Sequence, residues 1–378
     1  MVDGPPRVLV DLSNLFSGGG LQVGASTLDE MLGIMADPGS VQRWPWLSTM
    51  TIEASPMVIK NATNPIPAHT VRETRGRPLD QLRRKRGVEH DVSFVLFGPD
   101  YAPRRAVRRV VGFADATSLY SEVAVSQTRA GWLRSQIRTR VSRARFSRYD
   151  RVVVEATQVA RDLQSDWGVP ARKLIVVPNT PNRVFFDREA QEDVSAVIPS
   201  GATFCFPTRA YPHKNLSVLG PAARELRARH QLDVQFVLTL TDHEWANLSE
   251  ETRRHSINVG PLRISQVPAL YRACTGAVFT SLVECSSVTP LEAIASGAPL
   301  VASDRDFVRE AIGAAAAYFE PTDPVSLASA LAETLTRHHQ RSERVALGQE
   351  IARAFPTARD RTLRYVELID QETKLVER

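Results

Sequence analysis

The chain has 378 residues, of which 43% are hydrophobic and 24% are charged, as in ordinary globular proteins. This composition excludes a disordered chain, a collagen-like fibre and a disulfide-stapled small domain, and the length predicts two domains at roughly 100–200 residues each. The net charge of +5 and the sequence pI near 9.3 invite comparison with nucleic-acid-binding proteins.

Short apolar runs recur along the chain and are separated by amphipathic segments. Runs of this kind predict strands at 7–11, 92–97, 109–113, 151–154, 174–177, 202–206, 234–240, 277–280 and 300–302. Helical spacing predicts helices over 216–229 and 325–338, the second of which is opened by Asp323 and Pro324. Residues 36–70 have weak periodicity and are predicted to be loops with short elements. Alternating strands and helices indicate a doubly wound α/β fold.

The clearest boundary between domains is an acidic stretch that ends in Pro199, Ser200 and Gly201. We therefore predict an N-terminal domain over 1–186, a second domain over 187–355, and a C-terminal helix over 356–378 that crosses back to the first domain. Two doubly wound domains of similar size predict a ligand-binding cleft between them.

Three cysteines at unrelated spacings predict neither a disulfide framework nor a zinc site. The N-terminus does not resemble a signal peptide, and no apolar run is long enough for a membrane span. These features favour a cytoplasmic protein, with peripheral contact to the inner face of the plasma membrane as an additional expectation.

The strongest motif runs from Ser281 to Asp304 and holds two glutamates, Glu284 and Glu292, eight positions apart. A strand is expected to end near Glu284, and a short polar loop then leads into a two-turn helix that Gly297 ends. A helix N-terminus suits a phosphate, and nearby carboxylates can accept hydrogen bonds from sugar hydroxyls. The less favoured alternatives are a solvated loop carboxylate for Glu284 and, for Glu292, a capping box that begins at Thr289.

This segment resembles the E-x7-E signature of retaining GT-B glycosyltransferases, family 4, known as glycosyl transferases group 1. The resemblance implies that Glu284 contacts the donor sugar, that Glu292 contacts the ribose, and that the intervening backbone holds the diphosphate. The donor-binding residues implied between the glutamates are Ser286, Ser287, Val288 and Thr289. The usual loop has two glycines, and this chain has none there.

A second motif follows the strand predicted at 202–206 and contains Arg209, His213 and Lys214. The same family has an R-x4-K pair at this point, which implies that Arg209 and Lys214 bind the donor diphosphate. Fixed cations stabilise the negative charge that develops on a departing nucleoside diphosphate. His213 is interpreted as an exposed loop residue in preference to a catalytic one.

Glycines mark two further candidate donor contacts. Gly18, Gly19 and Gly20 follow the first strand, where family members have a glycine-rich loop, although a mobile turn is the alternative. Gly260 begins a stretch that resembles the loop near the nucleobase. The predicted strand ends at Phe97 and Gly112 lack the histidine of many family members, so the N-terminal domain's contribution to the chemistry stays open.

No metal site and no cofactor are predicted, and the nucleotide-sugar donor is a substrate. Asp304 and Asp306 form a D-x-D pattern typical of another glycosyltransferase fold, but here it follows the last strand of the motif and is interpreted as chance.

The basic excess lies in one segment, since residues 71–151 hold nineteen Lys and Arg against eight Asp and Glu. Clusters occur at 83–86 and 104–109, and residues 129–148 place apolar side chains at helical spacing among arginines. This helix could lie on an anionic membrane surface, or it could pack on the core and expose a basic face.

Together these features predict a retaining glycosyltransferase. It would move a hexosyl or deoxyhexosyl group from a nucleotide sugar to a glycan or lipid-linked diphosphate acceptor, in bacterial surface polysaccharide or glycoconjugate synthesis. The polysaccharide-building branch is suggested by residues 97–101 and 112–114. Two alternatives are a GT-B nucleotide-sugar epimerase and a basic nucleic-acid-binding protein, although no nucleic-acid-binding module is recognised.

Overall fold

The computed structural model describes residues 4–67, 70–74, 90–99, 106–120 and 129–376, apart from the side chains of 129, 130 and 132. The chain divides into two compact units. Among the described residues, unit 1 holds those up to Asn182 and those from Pro356 onward, and unit 2 holds Arg183–Phe355.

Unit 1 is built on a parallel sheet with the strand order β3-β2-β1-β4-β5-β6-β7 in the described part of the chain. Its strands are β1 (Val8–Leu12), β2 (Thr51–Ala54), β3 (Val71–Glu73), β4 (His90–Val95), β5 (Ala106–Gly112), β6 (Arg151–Val154) and β7 (Leu174–Val176). The helices between them are α1 (Gly18–Met35), α2 (Pro38–Arg43), α3 (Pro56–Asn61), α4 (Ala116–Leu119), α5 (Arg129–Phe146) and α6 (Thr157–Ser165).

Unit 2 has a second parallel sheet, ordered β10-β9-β8-β11-β12-β13. Its strands are β8 (Thr203–Phe206), β9 (Gln235–Leu238), β10 (Ser256–Asn258), β11 (Gly276–Phe279), β12 (Leu300–Ser303) and β13 (Ala317–Phe319). Its helices are α7 (Leu219–His230), α8 (Asp242–Ala246), α9 (Glu250–Arg254), α10 (Val267–Ala273), α11 (Val288–Ala295), α12 (Asp306–Ile312), α13 (Pro324–Thr336) and α14 (His338–Ala354).

The predicted doubly wound α/β fold is confirmed in both units. Strands β1, β8 and β11 are buried along their whole length, as expected for parallel strands that helices cover on both faces. Central Cys205 is in register with Val237 on one side and Ala277 on the other. The predicted cap of α13 is also present, because the Asp323 side chain accepts a hydrogen bond from the Val325 N–H.

Four strands were not predicted from the sequence. β3, β10 and β13 are three-residue strands at the ends of their sheets, and β2 alternates polar and apolar residues in Thr51–Ala54. β2, β3 and β10 contain polar residues, and β13 is apolar but only three residues long, so the pattern that identified the central strands does not single them out.

The last helix, α15 (Ala358–Val376), belongs to unit 1 and carries buried charge into it. The Glu372 carboxylate is fully buried and accepts hydrogen bonds from the Nε groups of Arg108 at 2.7 Å and Arg151 at 2.8 Å. Arg361 is 1% exposed, and its guanidinium donates to the side chains of Asn179 and Ser26. These contacts join the end of the chain to β5, β6 and α1.

Candidate functional site

The candidate site lies at the carboxyl edge of the unit 2 sheet. β8 is the first strand of this sheet, and the later strands are added on opposite sides of it, with β9 on one side and β11 on the other. The chain therefore changes direction between β8 and β11, and ligands of doubly wound sheets bind at such switch points. Arg209 and Glu284 lie in the loops that follow β8 and β11, and Glu244 lies in the first turn of α8, the helix that follows β9.

Lys214 and Glu284 meet at this edge although 70 residues separate them. The Lys214 ammonium donates to a Glu284 carboxylate oxygen at 2.6 Å, and the two side chains are 13% and 12% exposed. Both loops are held in place locally, because the Leu282 N–H donates to the His213 carbonyl at 2.8 Å and the Thr280 hydroxyl donates to the Lys214 carbonyl at 2.6 Å. Two residues predicted from separate motifs thus form one ion pair.

Arg209 is held by a carboxylate that the sequence analysis missed. Its Nε donates to both oxygens of Glu244, at 2.8 and 3.0 Å, and the Ala210 N–H donates to the same carboxylate. Glu244 also forms the capping box of α8 with Thr241. Burial alone would raise the pKa of Glu244, but Arg209 and the hydrogen bonds from Thr241 and Ala210 lower that pKa to about 2. Glu244 is therefore ionised at neutral pH.

A sequence signal for Glu244 was available. Thr241 and Glu244 stand three positions apart directly after a predicted strand, which is the spacing of a capping box. That spacing predicts the helix start, but it does not predict that the same carboxylate reaches Arg209 across 35 residues.

Glu292 lies inside the helix that follows Glu284. The capping-box interpretation of Thr289 and Glu292 is wrong, because α11 begins at Val288 with Ser287 as its N-cap and Glu292 is its fifth residue. The Glu292 side chain is 8% exposed. Burial raises the pKa of Glu292 to about 7, and the positive charge of Lys214 opposes this rise. This carboxyl is consequently able to exchange a proton near neutral pH.

The segment between the two glutamates differs from the expectation in one respect. β11 ends at Phe279, five residues before Glu284, so the glutamate lies within a loop and not at the end of the strand. Ser286 and Ser287 complete that loop, and Val288 and Thr289 form the first turn of α11. First-turn N–H groups have no acceptor within their own helix, and they can therefore bind an anion.

His213 is half-buried, so its interpretation as an exposed residue is wrong. Its ring stacks on Tyr211, with centroids 5.7 Å apart. Burial lowers the pKa of His213, and the adjacent Lys214 charge lowers it further, which favours the neutral imidazole.

The glycine positions adopt two different structures. Gly18, Gly19 and Gly20 belong to unit 1 and form the first turn of α1, so their interpretation as a mobile turn is wrong. Gly18 has a φ of +64°, a conformation that favours glycine. Gly260 has a φ of +75° and follows β10 in unit 2, where its N–H donates to the Asn258 side chain.

No group of three or more metal-ligating side chains is found within the part of the chain that the structure describes. The D-x-D residues have other contacts, because Asp304 pairs with Arg309 at 2.5 Å and Asp306 opens α12. The Arg309 guanidinium lowers the pKa of Asp304. In the same described residues, no helix is both long enough and apolar enough to cross a membrane.

Comparisons with known proteins give a family match for part of unit 2 and structural neighbours for the chain. Residues 189–337, which lie within unit 2, match the family model described as glycosyl transferases group 1. No curated protein is significantly similar in sequence.

Solved structures with the GT-B fold resemble the chain over nearly its whole length. A sucrose-phosphate synthase from Thermosynechococcus elongatus has a TM-score of 0.69 at 14% identity, covering 97% of this chain and 99% of that one. The Anabaena protein HepE in complex with UDP-glucose has a TM-score of 0.68 at 14% identity, with 97% and 100% covered. An E. coli trehalose-6-phosphate protein bound with UDP-2-fluoro glucose has a TM-score of 0.65 at 12% identity, with 97% and 99% covered.

The chain thus has the GT-B fold, and residues 189–337 of unit 2 match the group 1 glycosyltransferase family. The resemblance predicted from Glu284, Glu292, Arg209 and Lys214 is confirmed at the level of the family model and the fold.

Proposed function

We propose that this protein is a retaining glycosyltransferase that moves a hexosyl or deoxyhexosyl group from a nucleotide sugar to a glycan or lipid-linked acceptor. The observation that carries the proposal is the Lys214–Glu284 ion pair at the switch point of the unit 2 sheet. Nucleotide-sugar or nucleotide ligands in the similar Anabaena and E. coli structures support the same class of donor.

In the proposed reaction, the bond between the anomeric carbon and the diphosphate oxygen breaks, the acceptor oxygen bonds to the anomeric carbon from the same face, and the acceptor hydroxyl proton passes to the departing diphosphate. Lys214 and Arg209 offset the negative charge that develops on the leaving diphosphate. The first-turn N–H groups of Val288 and Thr289 add donors to the same anion. No metal or other cofactor is proposed.

Two carboxylates have separate roles in the proposal. Glu284 accepts hydrogen bonds from the donor sugar, and donor binding releases Lys214 from its ion pair to contact phosphate. Glu292 accepts hydrogen bonds from the ribose hydroxyls. We assign the α1 glycines Gly18, Gly19 and Gly20 to the donor as well, and Gly260 to the loop near the nucleobase.

Ligand-induced stabilisation tests the donor class. UDP, GDP, dTDP and their sugars should be compared by thermal unfolding, because a ligand at ~100 times its Kd stabilises the folded state by about 2.7 kcal/mol. A shift with one nucleotide and its sugar is expected. The absence of a shift with all of them would contradict the proposal.

Substitutions test the assigned residues. Glu284→Ala and Arg209→Ala are each expected to lower transfer by on the order of 10²–10³-fold, since preorganised charges act most strongly on the transition state. Glu250→Ala and Arg254→Ala are matched controls, because these residues form an ion pair in the same unit with both side chains 71% exposed. Retention of configuration is read from the anomeric NMR signal of the first product.

An acceptor requirement separates transfer from epimerisation. Consumption of the donor should depend on added acceptor, whereas a nucleotide-sugar epimerase would convert the donor alone. We further propose that the reaction belongs to bacterial surface polysaccharide or glycoconjugate synthesis. In this proposal, the basic segment at 71–151 contacts the inner face of the plasma membrane, where the acceptor is located. The clusters at 83–86 and 104–105 of that segment lie outside the described residues.

A further inference from the structure

Helix α5 packs on unit 1 through small polar side chains. Ser135 and Ser142 are buried, and the Ser142 hydroxyl donates to Asp115. The Thr139 hydroxyl donates to the Ser118 carbonyl at 2.9 Å. The larger side chain on this face is Phe146, which is 1% exposed and lies against Phe113 and Trp167.

The aliphatic side chains of α5 are on the opposite face. Leu133 and Ile137 are each 54% exposed and Val141 is 45% exposed. At about 100° per residue, side chains four positions apart share one face of a helix, and this face is turned away from Ser135 and Ser142. A helix on the surface of a globular protein normally has the reverse arrangement. The helix therefore packs on the core and exposes its arginines, but Leu133, Ile137 and Val141 lie on the exposed side with the arginines and not on the packed side.

Arginines surround these three aliphatic side chains, which we call the α5 ridge. Residues 129–148 contain seven arginines and no acidic residue. By helical position, Arg134 and Arg138 lie along one side of the ridge, and Arg140 and Arg143 lie along the other. The helix thus combines an exposed apolar strip with cations on both of its borders.

A cavity of about 360 Å³ adjoins the Arg140 side of the ridge. Its lining includes Arg140, Arg143, Ser147, Trp167 and Lys173. Cationic side chains beside an aromatic and a hydroxyl group suit a phosphate-bearing headgroup.

We propose that α5 lies in the interface of an anionic phospholipid bilayer, with Leu133, Ile137 and Val141 inserted between the acyl chains and the arginines on lipid phosphates. Charge complementarity favours this partner. A basic helix that lies in the plane of the membrane inserts its apolar side chains between lipids, and its cations attract anionic headgroups. The inference rests on the proposed membrane association and names the element responsible for it.

Vesicle co-sedimentation of the full chain tests the inference. The wild-type protein is expected to bind vesicles of phosphatidylcholine with phosphatidylglycerol and to bind pure phosphatidylcholine weakly. The triple variant Leu133→Ser, Ile137→Ser, Val141→Ser should partition onto vesicles on the order of tenfold or more weakly. The substitutions remove three aliphatic side chains whose transfer from water into the bilayer favours binding. Arg134→Gln with Arg138→Gln should weaken binding by a few-fold, and added salt should reduce this difference.

Matched controls identify the ridge as the cause. Val197→Ser changes a side chain of similar exposure in unit 2, at 57%, and should bind vesicles as the wild type does. The thermal transition of the triple variant shows whether it is folded. If it is not, the single variant Ile137→Ser replaces it, and an intermediate loss of vesicle binding is expected.

Two outcomes would overturn the inference. One is equal partitioning of the wild type onto neutral and anionic vesicles, and the other is unchanged binding of the ridge variants. A third result would also overturn the inference: single-stranded RNA displaces the vesicles from the wild type, and the ridge variants still bind that RNA. This result would assign the arginines to nucleic acid. The nucleotide-induced thermal shift of the ridge variants is a separate readout, so the donor-site proposal is judged independently.

Discussion

The two units use buried or partly buried ion pairs in different ways. In unit 1, Glu372 is fully buried and bonds to Arg108 and Arg151, which are 25% and 26% exposed and come from neighbouring strands. In unit 2, Lys214 and Glu284 form an ion pair on two loops at the carboxyl edge of the sheet. The first arrangement joins elements that must stay together. The second lies at the edge where the proposed donor would bind, and in the proposed function each of its charges exchanges its partner for the donor.

The largest expected change in stability concerns the unit 1 cluster. Glu372→Ala leaves two arginines without their shared carboxylate, and breaking a buried pair costs about 3 kcal/mol or more in the free energy of unfolding. Denaturant unfolding measures this loss. Glu367→Gln in the same helix is the control, because Glu367 is 50% exposed, lies 3.7 Å from Arg43, and should change stability by under about 1 kcal/mol. Equal effects of the two variants would show that burial does not distinguish them.

Glu292 provides a pH-dependent comparison within unit 2. Its pKa is about 7 in the folded protein against a usual 4.5, so the unfolded chain releases this proton first as the pH rises. The contribution of Glu292 to stability therefore falls between pH 4.5 and 7 and stays low above pH 7. The Glu292→Gln variant has no carboxyl at this position and therefore does not lose this contribution. Its free energy of unfolding, relative to that of the wild type, should rise by about 3 kcal/mol from pH 4.5 to 8.

Unfolding curves of both proteins at several pH values measure the Glu292 effect. A constant difference between the two proteins across this range would contradict the raised pKa. In the proposed reaction, the ionised carboxylate accepts from ribose, so the donor KM of the wild type should also fall as the pH rises through 7.

The smallest expected effect concerns the position of Arg209. Glu244→Gln retains groups for capping α8 but removes the charge that holds the guanidinium, so we expect about a tenfold loss in kcat/KM for the donor. A modest loss of stability at neutral pH is also expected, because the lowered pKa of Glu244 means that its ionised form stabilises the fold. Steady-state kinetics and thermal unfolding measure the two quantities. Glu225→Gln, which alters a helical i,i+4 ion pair with Arg229, is the control. A loss of stability without a loss of activity would assign Glu244 to capping alone.

Local pattern predicted the central strands of both units, and it was least informative over residues 36–70 of unit 1. The central strands of unit 2 are continuous apolar runs, and the two motifs occur in the loops that leave them, so the positions of Arg209, Lys214, Glu284 and Glu292 followed from the order of elements. In unit 1, residues 36–70 contain short helices and the strand β2, whose mixed burial leaves little periodic signal.

The amino-acid sequence by itself determined the fold class, the resemblance to group 1 glycosyltransferases and the choice of Arg209, Lys214, Glu284 and Glu292 as candidate site residues, because periodicity and motif spacing are local properties of a chain. Only the tertiary structure decided which charges meet: Glu244 with Arg209, Lys214 with Glu284, and Glu372 with Arg108 and Arg151. It also decided that the apolar side of α5 faces outward. Spacing along a helix defines its faces, but the face that packs is chosen by the neighbours it meets in the folded protein.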